Sequence, residues 1–352
     1  RMATDERLRP GAPNAPWARP VRFREAVVSP TPSPWILGFD IGGTKIAAVA
    51  GTADGNVLER IAWPSRNSTF ASAWAAIIAA GDTLISRRGR PGAIGVSIGG
   101  PLDAGRGIVH SPPNLPGWDA IPIKDRLTEQ FGVPTYVEHD ARTGVLAEWL
   151  FGAAQGSSDV IYLTFGTGLG AGVLIGGQLL RGATGDSGEV GHWRMSRRGP
   201  AAYGKTGSWE AFASGAGLPR LARHMYPREA WPEDLSAETL IGLARADDPR
   251  ATRVIRTSAT WLGRGIAQLV DLLNPEVVVL GSLAVRAGDL YLPAVRSVVA
   301  RESLPRNRDC RIVASGLGDR GGDIAALCAA IYHGRLGPAA RLGPTSGPAR
   351  AG

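Results

Sequence analysis

The sequence predicts an α/β protein of two related lobes with mixed sheets, and two observations lead to this prediction. The first is a repeated pattern of apolar strand, glycine turn, strand, turn and strand, with the glycine turns at 42–43 and 166–168. The second is the alternation of strand-like and helix-like segments along the rest of the chain, which is typical of α/β layers. A chain of 352 residues also exceeds the usual size of one core.

Each element has a local signal. Apolar runs at 35–41 and 46–50 surround the first glycine turn, and runs at 160–165 and 171–175 surround the second. Asn274-Pro275 ends the longest helix, because proline cannot continue a helix. Amphipathic spacing predicts helices over 70–87, 123–131, 141–152, 251–273 and 322–332, and short apolar runs predict further strands over 93–98, 135–138 and 277–281.

These elements divide the chain into an arm, two lobes and a tail. Residues 1–34 are rich in Pro, Arg and Ala without apolar periodicity, so we expect a flexible N-terminal arm. We place a small N-terminal lobe at 35–143, completed by a C-terminal helix at 321–335, and a large C-terminal lobe at 144–320. Residues 336–352 are predicted to form a flexible tail.

The charge distribution argues against a nucleic-acid partner. Of the net charge of +8, the segments 1–34 and 335–352 contribute +3 each, which leaves +2 for the body of the chain. Binding to a duplex requires a stripe of basic residues on one face, and the sequence has none. We therefore expect no nucleic-acid partner.

Cysteine content and hydropathy bear on localisation. Cys310 and Cys328 are too few for a disulfide framework, which favours a reducing compartment. The chain has no apolar run near 18 residues and no apolar h-region at its amino terminus. We expect no membrane partner, no signal peptide and a cytoplasmic location.

The glycine turns are the main functional signal. Glycine lets the backbone turn sharply with its N–H groups facing an anion. Either turn alone would be interpreted as an ordinary hairpin turn. The repeated pair favours two facing hairpins that hold a polyphosphate, and hence a two-lobed phosphotransferase.

Two aspartates follow predicted strands. Asp40 ends the first strand, where a carboxylate can meet Mg²⁺ through water, and Thr44 can offer its hydroxyl and N–H group to phosphate. Lys45 could contact phosphate or lie solvated beside the strand. Asp140 could cap a helix, or it could act as a general base that accepts a proton from an attacking hydroxyl.

Five motifs together resemble the ROK family, which contains bacterial glucokinases, other hexose and amino-sugar kinases, and sugar-responsive repressors. The resemblance spans about 35–332 and implies the two-lobed actin-like/hexokinase (ribonuclease H-like) ATPase fold with an inter-lobe cleft. It also implies phosphorylation of a sugar hydroxyl with ATP and Mg²⁺. The motifs are Phe39-Asp40-Ile41-Gly42-Gly43-Thr44-Lys45, Ser111-Pro112-Pro113-Asn114-Leu115-Pro116-Gly117-Trp118, Glu138-His139-Asp140-Ala141, Phe165-Gly166-Thr167-Gly168-Leu169-Gly170 and Gly188-Glu189-Val190-Gly191-His192.

The resemblance also implies a set of site residues. Asp140 corresponds to the catalytic base, and Asp40 falls on the first phosphate loop. The positions that contact sugar are Gly100, Asn114, His139, Asp140, Glu189, His192 and Glu210. The positions that contact nucleotide are Asp40, Gly42, Gly43, Thr44, Lys45, Gly166, Thr167, Gly168, Gly281 and Ser282.

The chain departs from the family pattern at two places. His139 stands where the family usually has asparagine, and a bulkier imidazole should change which hydroxyl pattern fits. Many members carry a zinc loop, Cys-x-Cys-Gly-x-x-Gly-Cys-x-Glu, but here Ala201, Tyr203 and Ser208 replace its three cysteines. Because structural zinc needs four ligands, we predict no zinc site and expect Tyr203 and Trp209 to hold the loop by apolar packing.

The segment 199–206 also satisfies the Walker A pattern. A true P-loop follows a buried hydrophobic strand, whereas residues 192–198 are largely polar and basic. We therefore predict that this segment is not a P-loop.

Several alternatives remain open at this point. The default substrate is a glucose-like hexose, while an amino sugar such as N-acetylmannosamine or a sugar-like cyclitol of specialised metabolism is the alternative. Polyphosphate could serve as a donor besides ATP. The resemblance implies a homodimer, although the sequence identifies no interface. A ROK regulator is disfavoured, because the arm of about 34 residues is too short and proline-rich for a helix-turn-helix domain.

Overall fold

Two five-stranded sheets with the same strand order organise the structure, a computed structural model that describes residues 35–65, 68–337 and 339. The predicted arm at 1–34 and most of the predicted tail at 336–352 lie outside the described residues. The first sheet has the order β3-β2-β1-β4-β8 and the second β11-β10-β9-β14-β15. The first-sheet strands are β1 (Ile36–Ile41), β2 (Lys45–Gly51), β3 (Val57–Pro64), β4 (Ala93–Ile98) and β8 (Thr135–His139). The second-sheet strands are β9 (Val160–Leu163), β10 (Ala171–Ile175), β11 (Gln178–Leu179), β14 (Val277–Leu280) and β15 (Arg311–Ala314).

Strand directions correspond between the sheets. In each, the first strand runs antiparallel to its hairpin partner and parallel to a strand that returns after a helical connection. The predicted repeat of strand, glycine turn, strand, turn and strand is therefore confirmed, as are the mixed sheets. Two smaller sheets complete the strands: β5 (Leu102–Asp103), β6 (Ile108–Val109) and β7 (Ile121–Pro122) form one, and β12 (Ala201–Ala202) and β13 (Lys205–Thr206) the other.

The predicted helices are present with small shifts at their ends. The described helices are α1 (Phe70–Arg88), α2 (Ile123–Phe131), α3 (Asp140–Phe151), α4 (Trp209–Phe212), α5 (Gly217–Met225), α6 (Ala237–Arg245), α7 (Pro249–Leu273), α8 (Leu283–Glu302) and α9 (Gly321–His333). Helix α7 starts behind the Asp248 cap and ends at Asn274 in the left-handed conformation, as the following proline predicts. No element was predicted for the α8 segment, which contains Pro293 and a kink at Ala287.

Helices α3 and α9 connect the two sheets. Helix α9 lies on β1 and β4, where a Cβ at Gly95 would overlap the Ala326 carbonyl group. Helix α3 packs on α9 and on β9 and β10. Apolar side chains of both helices share one core cluster with the second sheet, for example Leu146, Val160 and Cys328.

The lobe ranges 35–143, 144–320 and 321–335 stay predictions. The predicted boundary between residues 143 and 144 falls inside α3. Among the described residues, none of the helices has the length and apolar character that crossing a membrane requires.

Candidate active site

The predicted site residues begin at one edge of the first sheet. Strands β1, β4 and β8 run parallel, with Ile41 opposite Ile98 and Ile98 opposite His139. The turn at 42–44, the glycines at 99–100 and the dipeptide His139-Asp140 therefore emerge side by side at the carboxyl ends of these strands. That edge of an α/β sheet is where ligands usually bind.

The first glycine turn is held by its neighbours. Ser65 donates from Oγ to the Gly42 carbonyl (2.6 Å) and from its backbone N–H to the Thr44 carbonyl (3.1 Å). Asn114 packs directly on Gly43, where a Cβ would overlap it. The structure thus brings the predicted sugar contact Asn114 against the predicted phosphate turn.

Asp40 lies beneath this turn with a perturbed pKa. Burial raises the pKa of its carboxyl group to about 7, with smaller opposing and reinforcing effects from Lys45 and Asp140. Lys45 itself is exposed at the start of β2. A carboxylate whose charged form is disfavoured by desolvation fits a role beside a cation.

The second glycine loop lies at the corresponding edge of the second sheet. The Gly166 carbonyl accepts the Gly215 N–H (2.6 Å), and the Thr167 carbonyl accepts the Ala216 N–H (3.1 Å). A Cβ at Gly166 would lie 3.3 Å from Ser282 Oγ. The structure therefore brings together the predicted nucleotide contacts at 166–168 and at Gly281-Ser282, which follows β14.

Asp140 is the first residue of α3, and its side chain is 49% exposed. The helix cap is His139, so the capping alternative for Asp140 does not hold. The Ala141 N–H donates to Asp140 Oδ1 (2.6 Å) and His139 Nδ1 (3.3 Å). A Cβ at Gly99 would lie 3.8 Å from Asp140 Oδ2, so this oxygen faces the glycine segment after β4.

His139 lies between two carboxylates. Its Nδ1 is 3.1 Å from Asp140 Oδ1, and its Nε2 is 3.8 Å from Glu189 Oε1. A Cβ at Gly100 would lie 3.1 Å from His139 Nε2. Four of the predicted sugar contacts, Gly100, His139, Asp140 and Glu189, therefore form one group.

The first turn of α3 also meets the second sheet. A Cβ at Gly172 in β10 would overlap the Ala141 carbonyl, so only glycine allows this approach. Tyr162 of β9 is partly buried, and besides desolvation and Glu148, the charges of Asp140 and Asp40 raise the pKa of its hydroxyl group. Both aspartates thus lie close enough to the second sheet to act on one of its side chains.

Beneath His139-Asp140 lies a buried ion cluster that the sequence analysis did not single out. Glu138 accepts from Arg142 Nε (2.6 Å) and Arg181 Nη2 (2.6 Å), and His333 Nε2 is 3.1 Å away. Burial alone would raise the pKa of Glu138, but His333 and the two arginines hold it well below its usual range. Arg142 also donates to the Gly185 carbonyl (2.6 Å), so this cluster fixes the segment that leads to Glu189. An acid in an apolar strand, with arginine four positions later, is the signal that could have revealed it.

The segment in place of the zinc loop is the β12–β13 hairpin. Lys205 donates from Nζ to the His192 carbonyl (2.6 Å), and the Walker A pattern spans two short strands rather than a strand, loop and helix. The prediction that it is not a P-loop is confirmed. Trp209 packs in the core as expected, stacked on Trp193. Tyr203 does not supply buried packing, because it is 48% exposed; it stacks on His192 and donates a hydrogen bond to Glu210.

Comparisons with known proteins agree with this geometry. The sequence matches the ROK family over residues 36–332. It is 32% identical to a glucokinase from Halalkalibacterium halodurans over 293 residues, which cover 78% of this chain and 88% of that protein. The ROK hexokinase from Thermus thermophilus is 35% identical, with a TM-score of 0.75 over 86% of this chain and 99% of its own. A ROK family glucokinase from Streptomyces griseus, solved in complex with glucose and AMPPNP, is 32% identical, with a TM-score of 0.72 over 83% of this chain and 97% of its own. These likenesses confirm the actin-like two-lobed α/β fold.

Proposed function

We propose, from the premise that the chain belongs to the ROK family, that this sugar kinase transfers the γ-phosphoryl group of ATP to a hydroxyl of a glucose-like hexose, with Asp140 as general base. The observation that carries the proposal is the position of Asp140. It stands half exposed at the edge where the strands of the first sheet end, beside the segment after β4, and the next residue, Ala141, packs against β10 of the second sheet.

The chemistry asked of Asp140 is modest. Phosphoryl transfer depends mainly on positioning and on neutralising charge, so one carboxylate that accepts the proton of the attacking hydroxyl is nearly sufficient. The Ala141 N–H holds Oδ1 of Asp140, which leaves Oδ2 to meet the acceptor. The hydroxyl proton would move to Asp140 as the oxygen attacks phosphorus.

The glycine segments supply the donor side. We assign the triphosphate to the backbone of Gly42, Gly43 and Thr44 with Lys45, and to Gly166, Thr167 and Gly168; Gly281 and Ser282 would border the nucleoside. Asp40 would hold Mg²⁺ through water, and this ion, when bound, neutralises phosphate charge. We favour ATP over polyphosphate because the segment after β14 lies directly beside the second loop, where a nucleoside could bind.

The acceptor side is the group around His139 together with Asn114, His192 and Glu210. A polyol needs several fixed donors and acceptors, and these side chains provide them. His139 stands between Asp140 and Glu189, so its imidazole shapes the space next to the base. This placement supports an amino sugar or a cyclitol as the alternative acceptor.

Assembly and location complete the proposal. We propose a homodimer, as the resemblance implies. We also propose a cytoplasmic protein, which the unpaired thiols of Cys310 and Cys328 support.

The test is ADP release from ATP and Mg²⁺, measured with glucose, mannose, N-acetylmannosamine, a set of cyclitols, and no acceptor. We expect the highest kcat/KM with glucose. A higher value for a cyclitol or an amino sugar would assign the alternative acceptor. Absence of acceptor-dependent ADP release across the panel would contradict the kinase proposal, and polyphosphate in place of ATP tests the donor.

A further inference from the structure

The turn of the β12–β13 hairpin is built on an unusual residue. Tyr203 and Gly204 connect the paired residues Ala202 and Lys205, and both have positive φ, 55° and 65°. Two-residue hairpin turns of this kind favour Asn, Asp or Gly at both positions, because a side chain strains the left-handed backbone. An aromatic residue persists there only where its surroundings hold it, which points to a specific contact.

The contacts of Tyr203 explain its place. Its hydroxyl group donates to Glu210 Oε2, and its ring stacks on His192 with 3.8 Å between the ring centroids and 16° between the planes. Its exposed fraction of 48% rules out core burial as its purpose. Tyr203 therefore joins two residues that the proposed function assigns to the acceptor.

The second glycine loop also contacts Glu210. It is 8% exposed, and its Oε2 also accepts the Leu169 N–H (2.9 Å). A Cβ at Gly168 would lie 2.9 Å from the same oxygen. Both hydrogen bonds thus use Oε2, which leaves Oε1 to accept from a ligand hydroxyl.

The hairpin holds His192 at two points. Tyr203 covers one face of the imidazole ring, while Lys205 donates to the His192 carbonyl (2.6 Å). The side chain of one hairpin residue thus fixes the ring, and that of another fixes the backbone.

We propose that Tyr203 is a positioning residue of the acceptor site, which orients Glu210 and His192 toward the hydroxyl groups of a polyhydroxylated acceptor. The proposal rests on the proposed function, because it takes Glu210 and His192 as acceptor contacts. In this proposal, the hydrogen bond to Glu210 and the ring stack on His192 hold the hairpin against the acceptor site.

The kinetic test compares Tyr203→Phe, which removes the hydroxyl group and keeps the ring, with Tyr203→Ala, which removes both. Thr206→Ala is the matched control, since Thr206 is an exposed residue of the same hairpin. With the best acceptor of the ADP-release panel, we expect Tyr203→Phe to raise the acceptor KM about tenfold, as loss of one hydrogen bond to a charged group implies. The KM for ATP should stay within about twofold, and Tyr203→Ala should raise the acceptor KM further. An unchanged acceptor KM in Tyr203→Phe, or equal increases in both KM values, would overturn the proposal.

A second measurement needs no substrate. The free energy of unfolding in urea is compared for wild type, Tyr203→Phe, Glu210→Gln and the double variant. We expect the effects to be non-additive, because both single changes act on the same hydrogen bond: phenylalanine removes its donor, and glutamine replaces its charged acceptor with a weaker neutral one. Additive effects would overturn the Tyr203–Glu210 link even in an active kinase. If the effects are non-additive but the protein phosphorylates no acceptor, the proposed function is refuted. The Tyr203–Glu210 hydrogen bond would then be supported, but Tyr203 would not be a positioning residue of an acceptor site.

Discussion

Asp140 and Glu138 are two residues apart, yet their environments differ sharply. The Asp140 side chain is 49% exposed at the start of α3, whereas Glu138 is fully buried among cations. A carboxylate that must meet an acceptor hydroxyl needs access, while one that orders its surroundings needs fixed partners. The exposed residue therefore suits the general base and the buried one a structural role.

Asp40 should give the folded protein a characteristic pH dependence. Burial raises its pKa from 3.8 to about 7, so the folded state retains a proton that the unfolded chain releases. Its contribution to stability is therefore complete below pH 3.8 and is lost as the pH rises through about 7. Urea denaturation without Mg²⁺ should show wild type losing stability between these values relative to Asp40→Asn. Parallel pH profiles for the two proteins would refute this prediction, and added Mg²⁺ should reduce the loss in wild type.

His139 should control which acceptor fits. Asparagine is shorter and cannot reach Glu189 as the imidazole does at 3.8 Å. We expect His139→Asn to change the ratio of kcat/KM between glucose and the best other acceptor at least about fivefold, because a changed contact in a pocket is worth about 1–3 kcal/mol. The KM for ATP should not move. An unchanged ratio in the ADP-release panel would show that His139 does not select the acceptor.

At the scale of elements, the ion cluster joins β8, α3, α9 and the segment after β11. Glu138→Gln would leave Arg142, which is 2% exposed, without its anion. Breaking a buried pair by removing one partner costs about 3–5 kcal/mol, so we expect a loss of that size in the free energy of unfolding.

The matched control is Glu59→Gln. Glu59 also pairs with two arginines, Arg87 and Arg88, but at the surface, where solvent screens the charges and such pairs contribute little to stability. Similar losses for the two variants in urea denaturation would show that burial of Glu138 does not set its contribution.

The Walker A pattern lies in the β12–β13 hairpin, and we expect this hairpin to take no part in nucleotide binding. Because Lys205 bonds to the His192 carbonyl, Lys205→Ala should leave the KM for ATP within about twofold and affect only the acceptor side. Steady-state kinetics with ATP varied at saturating acceptor will check this. A large rise in the KM for ATP would restore the P-loop interpretation.

The elements that the sequence predicted well are those with local signals. Strand β4 is predicted from a short apolar run and helix α2 from its spacing, and both have the predicted bounds. The cluster around Glu138 and the contact of Tyr203 with Glu210 were not predicted. They join residues from different elements, and residue pattern alone does not specify which side chains meet. Helix α8 was missed for a local reason, since Pro293 argues against a helix in its segment.

At the scale of the whole molecule, two sheets of equal strand order present their glycine loops at equivalent edges. Kinases with two lobes close over the acceptor and exclude water. We expect small-angle scattering to show a smaller radius of gyration with glucose than without it. Identical scattering curves at saturating acceptor would argue against closure.

The central claim is that Asp140 accepts the proton of the attacking hydroxyl group, and Asp140→Asn tests it. Asparagine keeps the size of the side chain and loses the base, so kcat should fall about 10²–10⁴-fold. Calorimetry should show that glucose and the nonhydrolysable nucleotide AMPPNP still bind with affinities close to those of wild type. A variant that retains most of the wild-type kcat would contradict the assignment of Asp140 as the general base.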